Sequence, residues 1–199
     1  MAYVRKDHFH KKAKQDGFRS RAAYKLQELN KRFKLFRQGY RILDLGAAPG
    51  GWLQVAAREV GKNGRVVGID LLPIEPIHYK QVTFILGDLL DQEVRVAAIE
   101  AMGGFANTVL SDMAPNISGV KITDCARSFE LCMLALEIAR ETLRPGGALV
   151  VKIFPGEDFE AFLKEMKASF SKVKTTKPEA TRKTSHEVYV IGTGFRGDE

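Results

Sequence analysis

The chain has 199 residues, 45% of them hydrophobic and 28% charged, which suits one soluble domain able to bury about 70% of its unfolded surface. No apolar stretch approaches the ~20 residues that cross a bilayer, and the first ten residues hold no apolar signal core. Cys125 and Cys132 are too few and too close for a disulfide framework or a zinc site, so no metal is expected and the compartment expected is a reducing cytoplasm.

Net charge is +7, unevenly placed: residues 1–41 carry 13 Lys/Arg against 3 Asp/Glu, and the remainder 18 against 21. A second basic group, Lys172, Lys174, Lys177, Arg182 and Lys183, is opposed only by Glu179. Basic surface beside an acidic body points to a polyanionic partner, of which nucleic acid is the common kind.

In chain order, residues 1–16 show no clear period and read as a flexible basic arm. From Ser20 a helix is predicted, with Ala22, Leu26, Leu29, Phe33 and Phe36 at three- and four-residue steps and Gly39 as its stop. The whole stretch 17–38 is expected to supply an N-terminal helix to the active site. Strand-like runs follow near 41–45, 65–70, 82–86, 106–112, 147–154, 171–176 and 186–193, separated for the most part by helical segments near 50–60, 90–102, 124–143 and 156–170. This alternation predicts an α/β fold, a three-layer sandwich around a mostly parallel seven-stranded sheet. The last two strands have only a short connection and should form an antiparallel hairpin at one edge. No linker splits the chain, so 1–199 is expected to form one domain.

Charges sit where apolar runs end. Asp44, Asp70, Asp88 and Asp112 each close or follow a strand-like run, and Lys152 stands inside Ala148–Phe154. Open α/β sheets bind ligands at the carboxyl ends of their strands, so these groups should converge on one pocket. An unpaired ammonium in such a strand costs several kcal/mol, roughly, which requires partners or a site for Lys152. Lys25 lies at the edge of its helix's apolar stripe, where a snorkelling stem is the alternative to a site role. A structural ion pair is the alternative for Asp112 and Lys152, and Glu187 alone reads as an edge-strand carboxylate.

Asp44-Leu45-Gly46-Ala47-Ala48-Pro49-Gly50-Gly51-Trp52 links the first of these strands to a helix. Its spacing is neither the dinucleotide G-x-G-x-x-G, since Ala48 occupies a glycine position, nor a P-loop. Asp70 is placed to accept hydrogen bonds from ribose hydroxyls, and Asp88 from an adenine amino group. Trp52 packs either near that pocket or into the core.

The turn resembles the S-adenosylmethionine-binding half of class I methyltransferases, whose fold is Rossmann-like. Together with Ser111–Asn116, Val151–Phe154, Arg19–Leu26 and Ser185–Tyr189, it resembles the FtsJ-like ribose 2′-O-methyltransferases over nearly the whole chain. That resemblance implies a catalytic tetrad of Lys25, Asp112, Lys152 and Glu187, with Lys152 as base. It implies S-adenosyl-L-methionine as cofactor, held by Gly50, Trp52, Asp70, Asp88 and Asp112. It also implies ribosomal RNA of the large subunit as partner, a uridine in the assembled subunit as target, and a monomeric enzyme without a membrane. Transfer RNA or an mRNA cap remain alternative substrates. An oxidoreductase and a non-catalytic RNA-binding factor are the other classes; the off-pattern glycines and Lys152 oppose the first, the complete tetrad the second.

Overall fold

The computed structural model describes residues 8–197. Its elements are α1 (His8–Gln15), α2 (Ala22–Phe33), β1 (Arg41–Leu45), α3 (Gly51–Val60), β2 (Arg65–Asp70), β3 (Val82–Leu86), α4 (Gln92–Met102), β4 (Ala106–Ser111), α5 (Lys121–Thr142), β5 (Leu143–Ile153), α6 (Phe159–Ser169), β6 (Phe170–Thr176) and β7 (Val188–Phe195). The seven strands form one sheet in the order β3-β2-β1-β4-β5-β7-β6. β3, β2, β1, β4 and β5 run parallel, and β7 pairs antiparallel with both β5 and β6. The α/β three-layer sheet with its antiparallel edge hairpin is thus the observed architecture.

Alternation along the central strands divides the core into two layers. Ile42, Val66, Leu110 and Val150 face α2 and α3, where Leu26, Leu29, Leu53 and Ala56 pack. Leu43, Val67, Val109 and Val151 face the other way, against α4, α5 and α6 through Met102, Ala135, Leu136 and Phe162. Both faces being covered explains why these strands are unbroken apolar runs in sequence. The edge strand β6 is mostly solvated and carries Lys172 and Lys174, charges that blunt an open strand edge.

Two expectations about the N-terminal region change. The segment read as an irregular arm contains helix α1, which docks on α2: Ala13 is buried, and the rings of Phe9 and Phe18 lie 5.6 and 5.7 Å from that of Tyr24. The arm's first seven residues lie outside the described residues. Helix α2 also ends at Phe33 rather than near Gly39. Lys34 adopts a left-handed conformation (φ 55°) and donates its N–H to the Asn30 carbonyl at 2.8 Å, while Asn30 Oδ1 accepts from Phe36 N at 3.0 Å. Leu35 and Phe36 are therefore buried on the irregular segment after α2, not on a helical stripe.

Candidate active site

Asp70 is the last residue of β2, Asp112 directly follows β4, and Asp88 lies two residues beyond β3. All three line one open cleft of about 490 Å³ together with Gly46, Ala48 and Met113. Parallel strands in register bring their carboxyl ends to one edge, which is why acids distant in sequence meet here. Asp70 Oδ2 accepts from Ala48 N and Oδ1 from Leu72 N, both at 2.8 Å, so its carboxylate fixes the β1–α3 turn as well as facing the cleft. Asp88 Oδ1 accepts from Leu90 N at 2.9 Å. Leu71, Leu72 and Leu90 stand exposed at the rim.

Gly46 and Gly87 line this cleft, and Gly50 does not. At φ +74° the absent Cβ of Gly46 would fall 2.5 Å from Met113 Cγ, so only glycine fits. Gly50 is constrained elsewhere: a Cβ there would meet Ile77 and Arg19. Arg19 donates to the carbonyls of Pro49, Glu75 and Pro76, strapping the loop after β2 to the glycine turn. Trp52 likewise does not line the cleft. It is buried on the α2 side, where its indole N–H donates to the Ala22 carbonyl at 2.8 Å and joins α3 to α2. Its large ring has a core position with one satisfied donor, the core alternative for this residue.

Asp44 is buried beneath the turn, and neither carboxylate oxygen has a hydrogen-bond partner. Burial, with the charges of Asp112 and Asp70, raises its pKa well above the ordinary aspartate value. Such a set of carboxylates is relieved by a cation placed in the cleft.

The four residues expected to act on substrate form two ion pairs. Lys25 Nζ contacts Glu187 Oε1, their side chains 11% and 12% exposed. Lys152 Nζ lies 3.2 Å from Asp112 Oδ1 and also donates to the Asp112 carbonyl. Glu187 stands immediately before β7, not inside it. Tyr189 joins the two pairs. Its hydroxyl donates to Asp112 Oδ1 at 2.6 Å, and its ring lies 5.7 Å from Lys25 Nζ and 6.0 Å from the Trp52 ring. Burial first, then Asp112 and Glu187, push its phenol well above the usual range, so Tyr189 stays a proton-bearing donor and cannot serve as the base. Sequence reasoning does not single out Tyr189, because an aromatic in an apolar strand looks like core; only its antiparallel register opposite Lys152 reveals it.

A mostly parallel sheet in this order, acids at its strand ends and a lysine-containing pocket beside them define a methyltransferase with a Rossmann-like fold. The chain belongs to the FtsJ-like methyltransferase family, whose model matches residues 18–195. It is 47% identical over 196 residues to a Syntrophobacter fumaroxidans protein named Ribosomal RNA large subunit methyltransferase E, covering 98% of this chain and 99% of the relative. A protein of the same name from Methanothrix thermoacetophila is 49% identical over 192 residues, 96% of this chain and 74% of that one. A solved Plasmodium falciparum structure described as a ribosomal RNA methyltransferase superposes with a TM-score of 0.79 at 31% identity, covering 91% of this chain and all of that one.

The protein is accordingly an S-adenosylmethionine-dependent methyltransferase, and its own residues fit that group. The cleft is open and acidic, and Asp44 supplies an unpartnered buried carboxyl beneath it. Asp70 and Asp88 present further acceptor lone pairs to hydroxyl and amino donors.

Proposed function

We propose that this enzyme methylates a ribose 2′-hydroxyl in large-subunit ribosomal RNA, acting as a cytoplasmic monomer on a uridine of the assembled subunit. The carrying observation is Lys152, buried at the end of β5 and tied to both a carboxylate and a carbonyl oxygen of Asp112. In its neutral form an amine has two N–H bonds and one lone pair. The Asp112 carbonyl accepts one N–H of Lys152, and Asp112 Oδ1, 3.2 Å away, is the counter-charge for the ammonium formed on proton transfer.

S-adenosylmethionine supplies, when bound, an electrophilic methyl group on a sulfonium. Lys152 takes the hydroxyl proton as the sugar oxygen forms its new bond to carbon, and Asp112 stabilises the ammonium so produced. Tyr189 holds Asp112 in place from the opposite side. Lys25 and Glu187 sit where they can orient the nucleotide, and neither leaves an uncompensated charge while paired.

The relatives' names support ribosomal RNA as substrate, and the charge distribution supports a polyanion. Basic side chains of α1 and of the Lys172–Lys183 region would hold phosphates, which set position without reading sequence. The test is methyl transfer from labelled donor to large subunits purified from cells lacking this protein, followed by alkaline digestion. One phosphodiester becoming resistant to alkali is the result expected; label retained on a base, or on transfer RNA only, would displace the reading.

A further inference from the structure

Beyond the cofactor cleft the enzyme has a second cavity of about 510 Å³, formed where β5 meets α5 and α6. That volume lies within the roughly 300–1,000 Å³ of ligand pockets. Its wall begins at Ile153 and Phe154, directly after Lys152; Lys152 shares the face of Tyr189 and Ile153 the face of Phe162, so the cavity and the catalytic groups flank the sheet's carboxyl edge from its two faces. Phe129, Phe154 and Phe159 all contribute, each only partly buried.

The mouth is built rather than slack. Phe154 N donates to Ser128 Oγ at 3.0 Å, and a Cβ on Gly156 would fall 2.6 Å from Cys125 Cβ, so the loop after β5 lies tight on α5. Asp124 accepts from Ser118 N, Ser118 Oγ and Gly119 N at 2.8, 2.7 and 3.2 Å, which holds the segment leading into α5. That segment leaves Val120 and Ile122 57% and 73% exposed beside the opening. Lys121, Glu157 and Asp158 add one cation and two carboxylates to the lining. The carboxylates can accept from the N–H edge of a neutral heterocycle, Lys121 can donate to its carbonyl oxygens, and phenylalanine rings offer faces for stacking.

The catalytic groups themselves demand a receiver. Lys25, Lys152 and Glu187 are only 9%, 8% and 9% exposed, so a ribose still stacked in a helix cannot bring its hydroxyl to them. The nucleotide must leave the stack, and its base, or its neighbour's, needs a new surface. We infer that the cavity between β5, α5 and α6 receives an unstacked nucleobase of the substrate RNA, at the target nucleotide or directly beside it. This rests on the ribose-methylation reading above.

The test fills the cavity without touching the catalytic groups. Ala126 lines it and is exposed on α5, so Ala126→Trp places an indole in the opening with no loss of core; Glu130→Trp, on the same helix but outside the lining, is the control. Wild-type methylation of undermodified large subunits is measured first, and failure there would sink the parent reading alone. Given that activity, Ala126→Trp should lower kcat/KM for subunits about 30-fold while cofactor Kd and melting temperature stay at wild-type values, and Glu130→Trp should match wild type. In chemical footprinting, one base at or adjacent to the target should be protected by wild-type enzyme and reactive with bound Ala126→Trp. A kcat/KM within twofold of wild type, no protected base with wild type, or protection that survives Ala126→Trp would each overturn the assignment.

Discussion

Lys152 and Tyr189 stand opposite one another in the β5–β7 ladder, and both side chains reach the same atom, Asp112 Oδ1. One carboxylate oxygen at the end of β4 is thereby clamped between two strands. Tyr189→Phe removes one arm of the clamp while keeping the ring against Trp52 and Lys25. A hydrogen bond to a charged group contributes about 1.5–3 kcal/mol. The variant should therefore lose at least about tenfold in kcat with unchanged cofactor affinity, read by steady-state kinetics and calorimetric titration. Unchanged kcat would show that Lys152 alone positions Asp112.

The Lys25–Glu187 pair joins α2 to the residue before β7, 162 positions away along the chain. Removing one partner leaves a largely buried charge alone, whereas removing both does not. Lys25→Met and Glu187→Leu should each cost about 2–3 kcal/mol of stability, and the double variant clearly less than their sum. Urea unfolding of the four proteins measures the coupling; simple additivity would mean the two charges do not depend on each other.

Asp44 makes stability depend on pH in a definable direction. An unfolded aspartate ionises near pH ~3.9, but burial raises the folded value well above that. The folded chain thus retains a proton that the unfolded chain has released. Stability from this group is complete below about pH 4 and is lost as pH climbs through the raised folded value. Asp44→Asn removes that loss. Its melting temperature relative to wild type, without cofactor, should rise as pH increases above about 4, and a difference that ignores pH would contradict the assignment.

Much of this was legible in the residues because charge in an apolar strand has few explanations. The acids ending β1 to β4 and Lys152 on β5 mark the sheet's carboxyl edge, and parallel register converts that into a site. What escaped depends on tertiary packing. Phe9 and Ala13, four apart, are the only trace of α1 in a segment otherwise polar, and their apolar faces gain meaning only against Tyr24 and α2. The glycine turn showed where the backbone must bend; that Gly46 rather than Gly50 meets the cleft depends on Met113, which arrives from β4. Trp52 has the same composition signal whether it binds ligand or anchors α2.

Helix α1 presents Lys11 and Lys14 to solvent, and their charges have no structural duty among the described residues. Lys11→Gln/Lys14→Gln should weaken RNA binding without altering cofactor binding or melting temperature. The slope of log affinity against log salt should shrink by roughly 0.7–0.9 for each phosphate that these lysines neutralise. A filter-binding series across salt concentrations checks this, and an unchanged slope would place the RNA elsewhere.

The most direct measurement is single-turnover methyl transfer to large ribosomal subunits by Lys152→Met, with cofactor binding and melting temperature recorded on the same preparation. Loss of a positioned base costs about 10²–10⁴ in rate. A loss of that size is expected at a single alkali-resistant linkage, in a protein that still folds and still binds donor. Transfer at near wild-type rate, or a methyl group recovered from a base rather than a 2′-oxygen, would contradict it.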